Sequence, residues 1–257
     1  MRLAWSATKP AVSPRAAVLG LALWLMAGLA LAGEAAVATS VVGAVSILKP
    51  DGSTRVLAKD SKVEAGDVVL TSKAGVVRLK FTDDTQITLR PNSRVAITRY
   101  GYEVDAPDKD EAKFNLVKGG LRVVSGLVGK RGNKDAHQTE TVASTIGIRG
   151  TDYALLWCQE GGDGCASLGV PVELQGGGGQ PVPGLYLTVF DGAIYAVNEV
   201  GSTDFPAGLS AYVRNRASRP IELPRDPGLI REFQSFDSRP GVMVLSNPAA
   251  PGACLVH

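Results

Sequence analysis

Short runs in which apolar and polar residues alternate cover most of the chain between residue 37 and about residue 157. A repeat of two residues is typical of a β-strand with one buried face, and turn-forming residues separate the runs. Runs of this length, recurring about every ten residues, predict an all-β fold of many short strands in a sandwich-like arrangement or an irregular β-solenoid. The predicted strands cover residues 42–48, 54–57, 68–71, 76–81, 85–90, 94–98, 113–117, 121–125, 138–143 and 144–155.

Two glycine-containing pairs are predicted to be turns between neighbouring strands. Asp191-Gly192 lies between the alternating runs 185–190 and 193–197 and is the strongest hairpin signal in the chain. Gly119-Gly120 separates the runs 113–117 and 121–125 in the same way. Each pair therefore predicts a tight reversal of the chain.

The first 32 residues differ in composition from the rest of the chain. Residues 1–15 contain three basic residues and no acid, and residues 16–32 are uncharged and end in Ala30-Leu31-Ala32. This order is typical of a signal peptide whose removal would leave Gly33 as the first residue. A retained membrane anchor is the alternative, since 17 uncharged residues are at the short limit for a spanning helix. Both alternatives place the remaining chain in the periplasm or outside a bacterial cell.

Two cysteines lie close together in the sequence. Cys158 and Cys165 flank six residues that include three glycines, and an exported chain favours a disulfide between them. Zinc would need two further nearby ligands, and a thioredoxin-type redox pair would need the spacing C-x-x-C. Cys254 has no evident partner and is either a leftover thiol or an intermolecular one.

Composition and charge exclude several classes of function. The chain has 27 basic and 25 acidic residues, and loss of the three basic residues in the leader leaves 24 against 25. Nucleic acid is therefore not an expected partner, because no basic block is present. His137 and His257 are the only histidines, which argues against a His-rich metal site. His137 lies in a polar run and is expected to be exposed, and no catalytic motif surrounds it, so we predict a non-enzymatic protein without a cofactor.

Two charged segments are expected to be solvated loops. Residues 101–113 contain five acids, but their spacing lacks the glycine and the closing glutamate of an EF-hand, so a solvated connection is preferred to a calcium loop. Residues 126–135 include Lys130, Arg131 and Lys134 and are predicted to form a mobile, locally basic loop.

An ordered set of strings resembles the FecR domain family over roughly residues 40–157. The set comprises GDVVLT at 66–71, the alternating runs 76–81 and 85–90, KGGLR at 118–122 and, most specific of all, ASTIGIRGTDY at 143–153. The resemblance implies an exported sensory or scaffolding module. FecR regulators carry an anti-sigma segment before their membrane span, and only 15 residues precede the apolar run here, so a direct anti-sigma role is not expected.

The sequence departs from the family pattern at two places. Asp83-Asp84 stands where the family hairpin has Asp-Gly, so this turn need not adopt a positive φ at its second residue. Ala143-Ser144 replaces the usual Thr-Pro, which loosens the local backbone.

The family signature at Gly147, Arg149, Gly150 and Thr151 admits a structural and a functional interpretation. The two glycines indicate a bulge or a close approach of backbone at a strand end. Arg149 is expected to satisfy buried carbonyls or to pair with an acid, of which Asp152 is the nearest in sequence. The functional alternative is an arginine that anchors a ligand.

The resemblance and the composition together predict the domain organisation. A short helix of one or two turns is expected at 229–233, and the remainder of the C-terminal segment is expected to be a tail. The segments are a signal peptide at 1–32, a FecR-like β domain at 33–157, a Gly-rich insertion with the disulfide at 158–184, a continuation of the β domain at 185–224 and a Pro-rich tail at 225–257.

Two functions from different classes follow. The first is an envelope module that binds a partner protein in sensing, signal transduction or scaffolding, with exposed strand edges or the 158–184 loop as the contact. The second is a carbohydrate- or peptidoglycan-binding β-domain, whose stacking residues would be Trp157, Tyr100, Tyr102, Tyr186 and Tyr195. The mature chain is poor in aromatic residues, which favours the first. Membrane contact is expected only through an uncleaved N-terminal segment.

Overall fold

The computed structural model describes residues 33–160, 165–166 and 168–237. The predicted signal peptide and Cys254 lie outside these residues. Seventeen strands and one α-helix, α1 (Leu229–Asp237), are found among them, and none of their helices is long and apolar enough to cross a membrane. The strands are β1 (Glu34–Val42), β2 (Val45–Leu48), β3 (Thr54–Val56), β4 (Lys62–Glu64), β5 (Val68–Thr71), β6 (Val76–Phe81), β7 (Gln86–Leu89), β8 (Arg94–Gly101), β9 (Glu111–Val124), β10 (His137–Thr141), β11 (Thr145–Ile148), β12 (Asp152–Cys158), β13 (Gly184–Asp191), β14 (Ala193–Asn198), β15 (Gly201–Pro206), β16 (Ser210–Val213) and β17 (Ile221–Leu223).

The long strand β9 divides the sheet into two half-sheets. Up to Lys118 it pairs with β8 and β10, and from Gly119 onward it pairs with β7 and β12. Gly119 has a φ of +75°, and a Cβ there would overlap the backbone of Asn92 and Ser93. The predicted turn at Gly119-Gly120 is therefore wrong, because the chain continues through these glycines as one strand that changes partners.

The order of strands defines the two half-sheets. The first runs β4-β1-β6-β7-β9-β12-β13-β16-β17 and is antiparallel throughout. The second runs β3-β2-β5-β8-β9-β10-β11-β14-β15, in which only β9 and β10 are parallel. The predicted strands 42–48 and 54–57 pair as an antiparallel hairpin, β2 with β3.

One buried cluster joins the inner faces of both half-sheets. It contains Ile47 and Phe114 from the second half-sheet and Leu79 and Leu155 from the first, each at most 1% exposed. The ring of Phe81 lies 5.3 Å from that of Phe114 across the core. Each such side chain stabilises the fold by about 1.5–3 kcal/mol through burial. The all-β prediction with period-two burial is confirmed.

A second buried cluster covers the outer face of the first half-sheet. Leu168, Val170 and Leu174 follow the Cys158–Cys165 disulfide and pack on this face, so the segment expected to be too flexible for a core contributes to one.

Helix α1 covers the same face, so the short helix predicted at 229–233 is confirmed and extends to Asp237. Leu229 and Phe233 are buried against it, and Arg90 forms an ion pair with Glu232 at 2.5 Å. Asp226 accepts hydrogen bonds from the first amides of the helix, at Gly228 and Ile230. The first half-sheet is thus covered on both sides, and the corresponding outer face of the second half-sheet is open among the described residues.

Candidate functional site

The family signature lies where two chain segments pass side by side from one half-sheet to the other. The segment between β11 and β12 goes from the second half-sheet to the first at Arg149–Thr151, and the segment between β13 and β14 returns at Gly192. β13 pairs with β12 and β16, whereas β14 pairs with β11 and β15. The predicted Asp191-Gly192 hairpin is therefore wrong, because its two strands belong to different half-sheets.

Glycines allow the two segments to touch. Gly150 and Gly192 have φ values of +73° and +72°, and a Cβ on Gly192 would overlap the carbonyl oxygen of Gly150. The backbone N–H of Arg149 and the hydroxyl of Thr151 both donate to the carbonyl of Ala193, at 2.8 and 2.6 Å. These contacts hold the two chain segments together where they pass between the half-sheets, so Gly150 and Thr151 have a structural role.

Gly147 supports an aromatic ring on the open face. It is opposite Tyr195 in the β11–β14 register, and a Cβ on Gly147 would overlap the Tyr195 ring. The guanidinium of Arg149 lies 4.4 Å from the centre of that ring, which is cation–π geometry. The Tyr195 ring is therefore held between the backbone of Gly147 and the side chain of Arg149.

Asp135 completes this arrangement. The Tyr195 hydroxyl donates to Asp135 Oδ1 at 2.6 Å, and Arg149 Nη1 lies 3.7 Å from the same oxygen. Burial, followed by the nearby carboxylate, raises the pKa of Tyr195 above its usual value. We call Gly147, Arg149, Tyr195 and Asp135 the signature platform. It is polar, and the side chain of Arg149 is 48% exposed.

Arg149 contacts both a carbonyl and an acid, the two alternatives that the sequence offered. Its Nη1 donates to the carbonyl of Ile148 at 3.2 Å and lies 3.7 Å from Asp135. Asp152, the acid nearest to Arg149 in sequence, instead binds Arg122 at 2.6 and 2.9 Å through two guanidinium nitrogens. Asp152 begins β12 in the other half-sheet, so closeness in sequence did not identify the acid beside Arg149. The side chain of Arg149 is half-exposed, so this structural role is compatible with binding an external acceptor.

The two charged loops are not simply solvated. Arg131 donates to both carboxylate oxygens of Asp110, at 2.9 and 3.1 Å, and stacks over the ring of Tyr102 at 4.6 Å. Asp110 is buried, and Lys130 donates to the carbonyl of Ser125 at 2.8 Å. Segments 101–113 and 126–135 are therefore tied together, which corrects the expectation of a mobile basic loop.

Asp83 organises the turn that departs from the family pattern. Its buried carboxylate accepts hydrogen bonds from Thr85, Tyr100 and the amide of Val128, at 2.7 to 3.1 Å. Asp84 adopts a φ of +68°, so the expectation that this turn need not adopt a positive φ is wrong. An aspartate tolerates this conformation better than most residues because its side chain is short and polar.

His137 is buried, which contradicts the expectation that it is exposed. Its exposure is 0%, and neither ring nitrogen has a hydrogen-bond partner among the described residues. The ring lies 5.4 Å from that of Phe114, beneath the loop that contains Gly129. Burial lowers the pKa of His137 to about 4.

The aromatic residues considered for saccharide stacking are not presented as a flat exposed surface. Tyr186 is fully buried, Trp157 is half-buried against the core, and Arg149 covers Tyr195. The predicted disulfide is confirmed, with Cys158 and Cys165 joined at an S–S distance of 2.07 Å. Within residues 33–160, 165–166 and 168–237 there is no cluster of acidic, histidine or cysteine side chains with the geometry of a metal site.

Among the described residues, β15 forms one edge of the second half-sheet, next to the signature platform, and β3 forms the other. β15 pairs with β14 along its whole length, and Tyr195 is opposite Asp204. The open face of the second half-sheet, defined by the outward residues of β9, β10, β11 and β14, ends at β15. The sequence predicts contacts at strand edges in general, but which strands form the edges depends on the pairing of strands.

A family comparison matches part of the chain. Residues 67–168 match the family model described as FecR protein. The matched range includes Gly147, Arg149, Gly150 and Thr151, whereas Tyr195 and Gly192 lie outside it. A search of curated protein sequences found no match.

Comparison with solved structures gave weaker similarities. A candidate anti-sigma factor from Parabacteroides distasonis matches at 11% identity with a TM-score of 0.44, over 65% of this chain and 64% of that chain. A second crystal structure with the same description has the same identity and TM-score and is covered over 63%. A protein described as a cell surface anchoring domain matches at 27% identity and a TM-score of 0.24, over 24% of this chain and 82% of that one. The chain thus spans slightly less than two thirds of the first two structures.

Proposed function

We propose that this protein, whose residues 67–168 match the FecR family model, is a non-enzymatic module for sensing, signal transduction or scaffolding that binds a partner protein in the bacterial cell envelope. The FecR domain supports a regulatory or sensing role. The open face of the second half-sheet, with the signature platform at the end that adjoins β15, is the proposed contact surface.

The unequal covering of the two half-sheets carries this proposal. Helix α1 and the segment after Cys165 bury the outer face of the first half-sheet. The open face of the second half-sheet holds Arg149 and Tyr195 in a fixed geometry through Gly147 and Asp135. A preorganised arginine and a tyrosine next to a free strand are typical of surfaces that bind proteins, because little side-chain entropy is lost on binding.

Export is part of the proposal and has two supports. Residues 1–32 have the order of a signal peptide. The Cys158–Cys165 disulfide is the type of bond that persists in an oxidising compartment such as the periplasm. Cell fractionation with N-terminal sequencing tests this part, with Gly33 expected as the first residue of a periplasmic or secreted protein.

Site-specific photocrosslinking in intact cells tests the contact surface. We would place p-benzoylphenylalanine at Gln138 or Glu140, which point outward from β10 beside the signature platform. Position 231, where Arg231 is exposed on the helix that covers the first half-sheet, is the matched control. We expect one discrete crosslinked protein from positions 138 and 140, weakened by Arg149→Ala, and none from position 231.

Two results would contradict the proposal. Crosslinking from position 231 alone would move the contact to the other side of the molecule. Sedimentation of the purified protein with cell-wall sacculi, abolished by Trp157→Ala, would favour the peptidoglycan-binding function instead.

A further inference from the structure

β15 differs from the other edge strands in its length. It has six residues, whereas β3, β4 and β17 at the other edges have three each. Ser202 and Asp204 are exposed, and β14 is its only strand partner among the described residues. A strand of this length offers several main-chain groups to an added strand.

The hydrogen bonds between β14 and β11 show which main-chain groups of β15 point away from the sheet. Arg149 donates its backbone N–H to the carbonyl of Ala193, so Ala193, Tyr195 and Val197 direct their main-chain groups toward β11. The alternate residues of β14 therefore face β15, opposite Gly201, Thr203 and Phe205. It follows that the N–H and C=O groups of Ser202 and Asp204 point away from the sheet.

The side chains of β15 point alternately to the core and to the outer face of the sheet. Phe205 is buried in the core, whereas Asp204 is exposed on the outer face and lies opposite Tyr195. An exposed acid on an edge strand repels an acidic strand and attracts a basic one.

We propose that β15 receives an extended segment of the partner protein as an additional strand, with a basic residue opposite Asp204 and apolar residues at the alternate, core-side positions. The added strand would take its main-chain hydrogen bonds from Ser202 and Asp204. This proposal rests on the proposed function, because it names the part of the surface that the partner occupies and the chemistry of the segment that binds there.

Amide exchange measured by NMR on the full-length protein tests the added strand directly. The probe is a synthetic peptide of alternating valine and lysine, and a peptide of alternating valine and glutamate is its matched control. We expect the lysine peptide to slow exchange of the Ser202 and Asp204 amides. Exchange at Thr203 and Phe205 should change little, because these amides are already bonded to β14.

Two substitutions at Ser202 distinguish the contribution of its main-chain N–H to binding from that of its side chain. Ser202→Pro removes the outward N–H and leaves the ladder to β14 intact, whereas Ser202→Ala retains that N–H. We expect the proline variant to bind the lysine peptide about tenfold more weakly and the alanine variant to bind it as the unaltered protein does. Asp204→Asn should weaken binding and reduce its dependence on salt.

Three outcomes would overturn the proposal. The first is equal binding of the lysine and glutamate peptides, and the second is the absence of slowed exchange at Ser202 and Asp204. The third is a dimer in sedimentation experiments that Ser202→Pro dissociates, which would assign the edge to a second copy. If photocrosslinking from positions 138 and 140 still captures a partner, the proposed function stands while the edge proposal fails.

Discussion

The buried imidazole of His137 should make the fold sensitive to acid. The ring is neutral in the folded state because burial lowers its pKa from 6.5 to about 4, against an opposing effect of Asp83. Lys113 and Lys130 act in the same direction as burial. The unfolded chain therefore binds a proton more readily, and stability that is complete above pH 6.5 is lost as the pH falls toward 4.

The size of this effect follows from the two pKa values. A lowered pKa of this magnitude costs about 3 kcal/mol once the pH is well below both values, and about 2 kcal/mol between about pH 7.5 and about pH 4.5. Replacing the ring by an apolar side chain, as in His137→Leu, removes the proton-binding group. The variant should therefore lose about 2 kcal/mol less than the unaltered protein over this range.

Urea unfolding of both proteins at a series of pH values is the assay. The carboxylates are common to both proteins, and His257 is the only other histidine, so the difference between the two curves isolates His137. Any packing defect of the leucine variant shifts its whole curve and leaves the slope with pH unchanged. Two parallel curves would refute the argument that His137 is neutral and unpartnered in the fold.

Three further substitutions test the contacts that build the fold and the site. Gly147→Ala should cost about 2 kcal/mol in urea unfolding, because the added Cβ displaces the Tyr195 ring; an unchanged midpoint would contradict the stacking. The double change Cys158→Ser with Cys165→Ser should cost about 2.5 kcal/mol, as expected for so short a closed loop, and should abolish the effect of a reducing agent on stability. Glu232→Gln should cost about 3 kcal/mol and accelerate amide exchange in α1, because it removes the negative charge that pairs with the buried Arg90 guanidinium. Exchange that stays slow would show that apolar packing holds the helix without this ion pair.

The positions of strands could be predicted from the sequence because each depends on a local repeat. β5 and β6 have the predicted bounds, and most other predicted strands are displaced by a few residues at their ends. The runs 113–117 and 121–125 form the single strand β9, and the run 144–155 is divided between β11 and β12. The two-residue repeat indicates which side chains face a core, and this depends only on the residues within each strand.

The pairing of strands could not be predicted in the same way. Asp191-Gly192 has the chemistry of a hairpin turn. Gly192 instead connects the two half-sheets, because β13 before it pairs with β12 and β14 after it pairs with β11. A left-handed glycine suits both geometries, so the local signal does not distinguish them.

The candidate site was predicted in part. Glycine at 147 and 150 correctly indicated a close approach of neighbouring atoms, but the partners, Tyr195 and Gly192, lie far along the chain. His137 was misjudged because its polar neighbours gave no sign that the parallel pairing of β10 with β9 turns its side chain into the core. Both features depend on contacts distant in sequence.

Hydrogen exchange of the protein with and without its crosslinked partner tests the central claim most directly. The account predicts that the partner slows exchange at residues 135–149 and 193–206, which contain the signature platform and the edge strand β15. Slowed exchange confined to residues 168–182 and 229–237, on the covered side of the first half-sheet, would contradict it.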